Sequence, residues 1–291
     1  MEKKLLNKNA KMTDIFLKKY LDKQAYSDLV LPMKYGVLSG GKKIRSSVVL
    51  GAGKLFNINK VKLLNVCAAV ECIHSYSLIH DDLPCMDDDK MRRGKPATHI
   101  KYGESTAILA GNSLLTLAFE MIVDKNYKIE NKAKIKLVKS LGYCSGHVGI
   151  AGGQFLDLNF EKKRKRFSDI LDMQIKKTGK LFNFCCYAAG VIAKKNDKEL
   201  KSLSKLGEDI GLLFQFADDF IDIKGSKKLA GKSIKKDKKK GKSTLVALIG
   251  YEKAYSYASK LKKNILSKLS KHGKKADNLI NTVEFILERN F

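Results

Sequence analysis

The stretch LNVCAAVECIHSYSLIHDDLPCMDDDKMRR, residues 64–93, joins a long apolar run to a dense group of aspartates. The apolar run belongs to a segment, residues 60–82, in which apolar side chains recur on every face of a helix. A helix that is apolar all round lies in the interior of a large protein. We therefore predict a central helix that delivers His74 and then the aspartates from its C-terminal end.

The aspartate group places five carboxylates within nine residues: Asp81, Asp82, Asp87, Asp88 and Asp89. Carboxylates this close repel one another by about 1 kcal/mol or more per pair, so we expect a cation among them. Mg²⁺ prefers hard oxygen ligands and often shares its coordination between a carboxylate or two and substrate phosphates. Arg92 and Arg93 follow directly and would bind phosphate oxygens in a bidentate geometry. Taken alone, the stretch also fits a solvated acidic loop.

A second acidic group occurs in FQFADDFIDIKG, residues 214–225. Asp218 and Asp222 are four residues apart and share one helical face, with Asp219 beside them. Their neighbours are apolar, and unpaired charge on a buried helix is costly, so these carboxylates need a partner. A lysine or arginine from elsewhere is one candidate. Two such groups in one chain instead favour a shared cavity that holds several Mg²⁺ ions around one diphosphate.

Helical patterns occupy most of the remaining chain, and no segment alternates with the period of a strand. The predicted helices cover residues 12–23 with Thr13 as N-cap, a segment from Ile44 onward, and residues 60–82, 105–124 with Ser105 as N-cap, 132–157, 167–194, 198–223, 244–270 and 275–288. We predict an all-α fold: a single domain over residues 1–291, with antiparallel helices around a central cavity. Residues 224–243 contain ten lysines and are predicted to form a flap.

The chain has 291 residues and a formal net charge of +27. Lysines are scattered over every predicted helix without interleaved aromatic residues, which argues against nucleic acid as a partner. A peripheral attraction to anionic membranes is a secondary expectation. No uncharged apolar run of 18 residues occurs, so no membrane span is predicted. The six cysteines show no CxxC spacing, which indicates a reduced, cytoplasmic compartment.

These motifs, in this order, resemble those of the trans-isoprenyl diphosphate synthases, from about residue 34 to residue 250. DDLPCMD (81–87) resembles the first aspartate-rich motif of that family, with two extra residues, and DDFID (218–222) resembles the second. The resemblance implies Mg²⁺, three ions in number with Mn²⁺ as an alternative, on five carboxylates: Asp81, Asp82, Asp87, Asp218 and Asp222. Asp219 is implied as a further catalytic carboxylate. On an ideal helix Asp88 would return to the face of Asp81; the resemblance selects Asp87, and Asp88 and Asp89 receive no role.

The resemblance also implies two diphosphate sites. GGKKIR (40–45) is similar to a family motif whose Lys42 and Arg45 would bind isopentenyl diphosphate, together with His74 and Arg93. The allylic diphosphate would be bound by Arg92, Lys177 and two flap lysines, Lys232 and Lys242. Thr178 and Gln215 would favour the allylic cation, and AGGQFLDL, with Gln154 and Asp157, fits a further family segment. Ser46 departs from the family, which usually has proline at that position.

The activity implied is the Mg²⁺-dependent head-to-tail (1′–4) condensation of isopentenyl diphosphate with dimethylallyl or geranyl diphosphate. The proton released would pass to the departing diphosphate, with His74 as the competing base. Tyr76 and Ser77, five and four residues before Asp81, would limit chain length, and this pattern resembles bacterial synthases that make farnesyl diphosphate.

Geranylgeranyl diphosphate is the alternative product. A class I terpene cyclase would not need GGKKIR and His74, a non-catalytic subunit would tend to lose an aspartate motif, and a nucleic-acid or membrane-surface protein would leave both motifs unexplained. The family implies a homodimer, for which the apolar segment 105–124 could supply an interface.

Overall fold

The computed structural model describes residues 2–24, 27–161, 163–224 and 244–288, which are almost entirely helical. The α-helices are α1 (Glu2–Asp22), α2 (Val30–Val37), α3 (Ile44–Leu55), α4 (Leu64–Asp81), α5 (Thr98–Tyr102), α6 (Glu104–Val123), α7 (Asn131–Ser145), α8 (Ile150–Phe160), α9 (Phe167–Gln174), α10 (Lys180–Ile192), α11 (Asp197–Lys224), α12 (Leu245–Ile249), α13 (Tyr251–Ser270) and α14 (Asp277–Glu288). Two 3-10 helices (Lys60–Leu63 and Gly273–Ala276) and one π-helical turn (Ile175–Gly179) complete the helical part. The predicted all-α fold is confirmed.

Helix α4 lies at the centre, as its apolar composition predicts. It packs along α6 and also contacts α1, α2, α3 and α10. Five consecutive residues, 66–70, have no exposed surface, so this part of α4 is enclosed on all sides. Helices α10 and α11 form a second closely packed pair, and one hydrophobic core runs from Leu17 of α1 to Ile286 of α14.

Several helix boundaries differ from the predicted ones. Thr13 is not an N-cap: it lies inside α1, buried, and its hydroxyl donates to the carbonyl oxygen of Asn9 at 3.0 Å. Helix α1 starts ten residues before the predicted start. Its buried face includes two polar residues, Asn9 and Thr13, between Leu6 and Leu17, and these interrupt the apolar pattern on which the prediction relied. Helix α6 likewise begins at Glu104, so Ser105 is not its cap.

Two predicted long helices are each divided in two. Residues 146–149 separate α7 from α8, and Gly250 separates α12 from α13. Gly250 has a φ of 82°, which L-residues with side chains rarely adopt. The sequence also gave no signal for α2, for α5, or for the two-residue strands β1 (Met91–Arg92) and β2 (Lys95–Pro96), which pair antiparallel.

Helix α6 is long and apolar enough, by length and composition alone, to cross a membrane, and 44% of that window is buried inside the fold. No other helix among the described residues meets this test. The apolar residues on its inner side pack against α4 inside the protein. Ile108, Leu109 and Val123 remain exposed on its outer side.

Candidate active site

The first aspartate group begins where α4 ends. After Asp81 the chain forms a compact loop in which the backbone N–H of Asp87 donates to the carbonyl oxygen of Asp81 at 2.8 Å. Two further backbone bonds close the loop, from Asp88 to Leu83 at 3.0 Å and from Asp89 to Asp82 at 3.0 Å. The loop that contains Pro84 and Cys85 therefore replaces helical geometry and returns Asp87 to Asp81. Asp88 adopts a left-handed φ of 49°.

Asp82 and Arg92 form a buried ion pair beside this loop. The Nε atom of Arg92 donates to both carboxylate oxygens of Asp82, at 3.0 and 3.1 Å, and Nη2 contacts Asp82 and reaches Asp89 at 3.3 Å. Burial opposes the charge of Arg92, but the hydrogen bonds to Asp82 and its negative charge raise the Arg92 pKa. Asp82, predicted as a metal ligand, thus contacts Arg92, which was predicted to bind the allylic diphosphate.

The four residues predicted to bind isopentenyl diphosphate, Lys42, Arg45, His74 and Arg93, come from α3 and the loop before it, from α4 and from the turn after β1. Arg45 stacks over the rings of Phe182 at 5.0 Å and Phe214 at 5.6 Å. Its buried Nε has no hydrogen-bond partner. Burial lowers the Arg45 pKa, and the charges of Glu71 and Asp218 raise it.

His74 and Arg93 lie in the same cationic environment. Burial holds the pKa of His74 well below its usual range, and the positive charges of Arg45 and Arg93 lower it further. Arg93 Nη1 donates to the carbonyl oxygen of Gly40 at 2.6 Å and to the hydroxyl of Ser39 at 3.2 Å, which ties Arg93 to the GGKKIR loop. Lys42 is directed towards α14, with Nζ 4.8 Å from the centre of the Phe285 ring.

The second aspartate group lies on α11, with Asp222 one helical turn beyond Asp218. Asp219 is buried and accepts hydrogen bonds from two amides, Gln174 at 3.1 Å and Gln215 at 2.9 Å. The hydroxyl of Thr178 in turn donates to Gln215 Oε1 at 2.7 Å. The structure therefore joins three predicted residues into one hydrogen-bonded chain.

Gln174, the fourth residue in this series of hydrogen bonds, was not predicted from the sequence. The available signal was a single amide one helical turn before Thr178, between the apolar residues Met173 and Ile175. Its Oε1 atom is buried and has no hydrogen-bond partner.

The π-helical turn carries Lys177 and Thr178. Backbone N–H of Lys180 bonds to the carbonyl oxygen of Ile175, five residues back, and such wide turns often occur at functional sites. Lys177 Nζ donates to Asp157 of α8 at 2.6 Å. A Cβ atom on Gly153 would lie 2.1 Å from the backbone nitrogen of Lys177, so only glycine permits this approach. Nearby on α8, the buried amide of Gln154 has no partner for either polar atom.

The two predicted chain-length residues lie on α4. Tyr76 is buried, its hydroxyl donates to the carbonyl oxygen of Ser145 at 3.3 Å, and its ring meets His80 edge-on at 5.8 Å. Burial and the charge of Asp81 raise the pKa of Tyr76 to about 12. Ser77 directs its hydroxyl to the carbonyl oxygen of His74 at 3.0 Å. Tyr76 thus closes the space between α4 and the end of α7, whereas Ser77 is small and bonded to its own helix.

The chemistry of the donor set fits Mg²⁺, since Asp81, Asp87, Asp218 and Asp222 supply only hard carboxylate oxygens. Within the described ranges, no three His, Cys, Asp or Glu side chains already form a metal cluster. Mg²⁺ usually binds through one or two carboxylates together with substrate phosphates, so a preformed cage is not required. The predicted flap lysines, Lys232 and Lys242, lie outside the described residues.

Comparison with known proteins gives consistent matches over most of the chain. A family model described as polyprenyl synthetase matches residues 27–283. The farnesyl diphosphate synthase of Escherichia coli (strain K12) is 39% identical over 267 residues, which cover 90% of this chain and 89% of that protein. Geranylgeranyl pyrophosphate synthase 4 of Arabidopsis thaliana is 38% identical over 262 residues, which cover 89% of this chain and 70% of that protein. The structure of a Helicobacter pylori geranyltransferase complexed with magnesium and isoprenyl diphosphate has a TM-score of 0.79 at 30% identity and covers 96% of each chain.

Proposed function

Because this chain belongs to the polyprenyl synthetase family, we propose that it condenses isopentenyl diphosphate head-to-tail with allylic diphosphates, with farnesyl diphosphate as the main product. The observation that carries the proposal is the environment of Arg45. Its buried Nε has no hydrogen-bond partner, and the charge of Asp218 acts on it. An unpaired buried donor is costly, so we infer that Arg45 Nε is satisfied by a bound anion. The influence of Asp218 places that anion in the same region as the second aspartate group.

The allylic diphosphate would be bound on the aspartate side of the site. Asp81, Asp87, Asp218 and Asp222 would hold Mg²⁺, which would neutralise charge on the departing diphosphate. Three ions, or Mn²⁺ in their place, are part of this proposal. Asp82 would hold Arg92 in position beside them, and Lys177 and the flap lysines Lys232 and Lys242 would add positive charge.

The hydrogen bonds that link Thr178, Gln215 and Asp219 would assist the bond-breaking step. The C–O bond of the allylic substrate breaks, and the diphosphate leaves with the electron pair. Since the Thr178 hydroxyl donates its hydrogen bond to Gln215 Oε1, its oxygen lone pairs remain available to face the allylic cation. Asp219 fixes the Gln215 amide that receives this bond. A preorganised dipole of this kind stabilises charge without reorganisation.

Isopentenyl diphosphate would be bound by Lys42, Arg45, His74 and Arg93, so that its double bond attacks the cation. A new C–C bond forms and leaves a cationic carbon in the isopentenyl unit. A proton then leaves the carbon next to that cation, and a new double bond forms. His74 is a poor acceptor for this proton because burial, together with the surrounding positive charge, holds its pKa low. The departing diphosphate is therefore the proposed acceptor, and neutral His74 serves as a hydrogen-bond donor.

Tyr76 is the proposed limit on product length, because its ring is buried against the end of α7. Geranylgeranyl diphosphate is the second candidate product, and the similarity to the Arabidopsis thaliana protein favours it. The test is to incubate purified protein with Mg²⁺, isopentenyl diphosphate and either dimethylallyl, geranyl or farnesyl diphosphate. We expect C15 product from the first two and little elongation of the third. Absence of product with all three would contradict the proposal.

We also propose a single domain, a homodimer and a reduced, cytoplasmic setting. A single domain is supported by a core that runs from α1 to α14. A homodimer is supported by exposed apolar side chains on α6 and α7, which include Leu109 and Ile135. A reduced, cytoplasmic setting is supported by the six cysteines, all of which are free thiols. The net charge of +27 supports a peripheral attraction to anionic membranes.

A further inference from the structure

Glu71 is a buried carboxylate that the proposed mechanism does not use. It lies on α4, one helical turn before His74, with 2% of its surface exposed. A buried carboxylate is retained only when it is paired or hydrogen-bonded. Glu71 meets this requirement through residues at the start of α3, the helix that carries Arg45.

Ser46 supplies two hydrogen bonds to one oxygen of Glu71. Its backbone N–H donates to Oε1 at 3.2 Å, and its hydroxyl donates to the same atom at 2.7 Å. Ser46 lies in the first turn of α3, where backbone N–H groups have no partner within the helix. The N-cap residue, Lys43, supplies no side-chain cap, so Glu71 caps α3 from a different helix.

Glu71 also lies among the cations of the isopentenyl diphosphate site. Its Oε2 atom is 3.8 Å from Nζ of Lys43, whose side chain is almost fully buried and donates to the carbonyl oxygen of Val37 at 2.6 Å. The negative charge of Glu71 acts on both Arg45 and Arg93 and opposes the loss of charge that burial favours. One carboxylate therefore connects the start of α3, the GGKKIR loop and two proposed diphosphate ligands.

We propose that Glu71, held by Ser46, is a positioning residue that orients Arg45 and Arg93 for isopentenyl diphosphate. The inference rests on the proposed function. It is specific to a serine at residue 46, since the family's usual proline has neither an N–H nor a hydroxyl to donate. Ser46 itself touches no substrate in this scheme and acts through the carboxylate.

The test compares Ser46→Ala with Ser47→Ala. Ser47 is the next residue of α3 and is equally buried, but its hydroxyl accepts a hydrogen bond from Asn9 at 3.4 Å, whereas the bonds to Glu71 come from Ser46. Isothermal calorimetry measures the binding of isopentenyl diphosphate alone, and steady-state assays give KM for each substrate and kcat. Circular dichroism checks that both variants are folded.

We expect Ser46→Ala to bind isopentenyl diphosphate about tenfold more weakly, because Glu71 loses one of its two hydrogen bonds from Ser46 and holds Arg45 and Arg93 less firmly. KM for isopentenyl diphosphate rises by a similar factor, while kcat and KM for geranyl diphosphate stay near wild type, and Ser47→Ala resembles wild type throughout. Equal affinity in the two variants, or an equal loss for both substrates, would overturn the inference. Wild-type protein that binds isopentenyl diphosphate but forms no product would overturn only the proposed function. No binding by wild type would overturn both.

Discussion

Asp87 donates its backbone N–H to the carbonyl oxygen of Asp81 at 2.8 Å, across the end of α4. The bond closes the loop that contains Pro84, and it brings together the backbones of two aspartates that helical periodicity would place on different faces. The neighbouring Asp88 has its own backbone bond and a left-handed conformation. Three nearby aspartates are thus structurally distinct, and the distinction can be tested.

Replacing Asp81 or Asp87 with asparagine should lower turnover about a hundredfold or more, since each change removes a proposed metal-binding charge. Asp88→Asn is the matched control, because it removes an equal charge from the same loop and asparagine tolerates a left-handed φ. We expect Asp88→Asn to retain nearly full activity. Steady-state kinetics at saturating Mg²⁺ is the measurement, and equal losses in all three variants would contradict the assignment.

Truncation of Tyr76 should lengthen the product. Tyr76→Ala opens the space between α4 and the end of α7, at a cost of about 3 kcal/mol in the free energy of unfolding. With excess isopentenyl diphosphate we expect C20 and longer products by reversed-phase chromatography. Tyr76→Phe keeps the ring and loses only the bond to Ser145, so it should still stop at C15. Unchanged product length in Tyr76→Ala would show that the limit lies elsewhere.

Thr178→Val should lower kcat about tenfold to a hundredfold with little change in KM, because the hydroxyl is proposed to act on the cation and not on the bound substrate. Valine preserves the shape of the side chain and removes the bond to Gln215. Thr178→Ser keeps that bond and serves as the control. An increase in KM with constant kcat would instead identify Thr178 as a substrate-binding residue.

Cys85 is the exposed cysteine in the loop between Asp81 and Asp87, whereas the other five cysteines are buried. Burial raises the pKa of those thiols, to about 12 for Cys72 and Cys186, which keeps them unreactive. N-ethylmaleimide should therefore modify one thiol in the native protein and lower activity by crowding the metal loop. Cys85→Ser should be active and resistant to the reagent. Mass spectrometry locates the adduct, and modification without any loss of activity would argue that the loop tolerates bulk.

Stability should fall as the pH drops below about 6.5, the ordinary pKa of histidine. The folded pKa of His74 lies well below that value, chiefly through burial. Between the two pKa values the unfolded chain binds a proton that the folded protein does not, so stability increases with pH there, by at most about 1.4 kcal/mol per pH unit. Urea unfolding at pH 5.5 and 7.5 should show a larger difference for wild type than for His74→Gln. Equal differences would mean that His74 does not contribute.

Much of the fold follows from local patterns. The fully apolar pattern around residues 66–70 identified the central helix, because burial on all faces leaves no polar stripe in the sequence. The breaks at 146–149 and at Gly250 were not recognised, since both segments keep a helical spacing of apolar residues across the break. Helix α1 was placed too late because Asn9 and Thr13 are buried polar residues, which interrupt an apolar pattern without interrupting the helix.

The candidate site was predictable in its residue types but not in its pairings. Spacing indicated that Thr178, Gln215 and Asp219 belong to helices, but only the packed structure places α11 against the π-helical turn and links them through Gln174. The pairing of Asp82 with Arg92 depends in the same way on a hairpin of two-residue strands, which is too short to leave a periodic pattern. The role of Ser46 beside Glu71 depends on how the consecutive helices α3 and α4 pack, which the spacing of residues within each helix does not reveal.

The π-helical turn at Ile175–Gly179 has a consequence for how this chain can change during evolution. A wide turn holds one more residue than the α-helical path that it replaces, and it directs Lys177 towards α8 while its neighbour Thr178 faces α11. Deletion of one residue there would restore a regular α-helix without rotating α9 or α10 out of register. The packed framework would thus survive a deletion that displaces Lys177 and Thr178 from their present partners, so the fold and the proposed site are separable at a single turn.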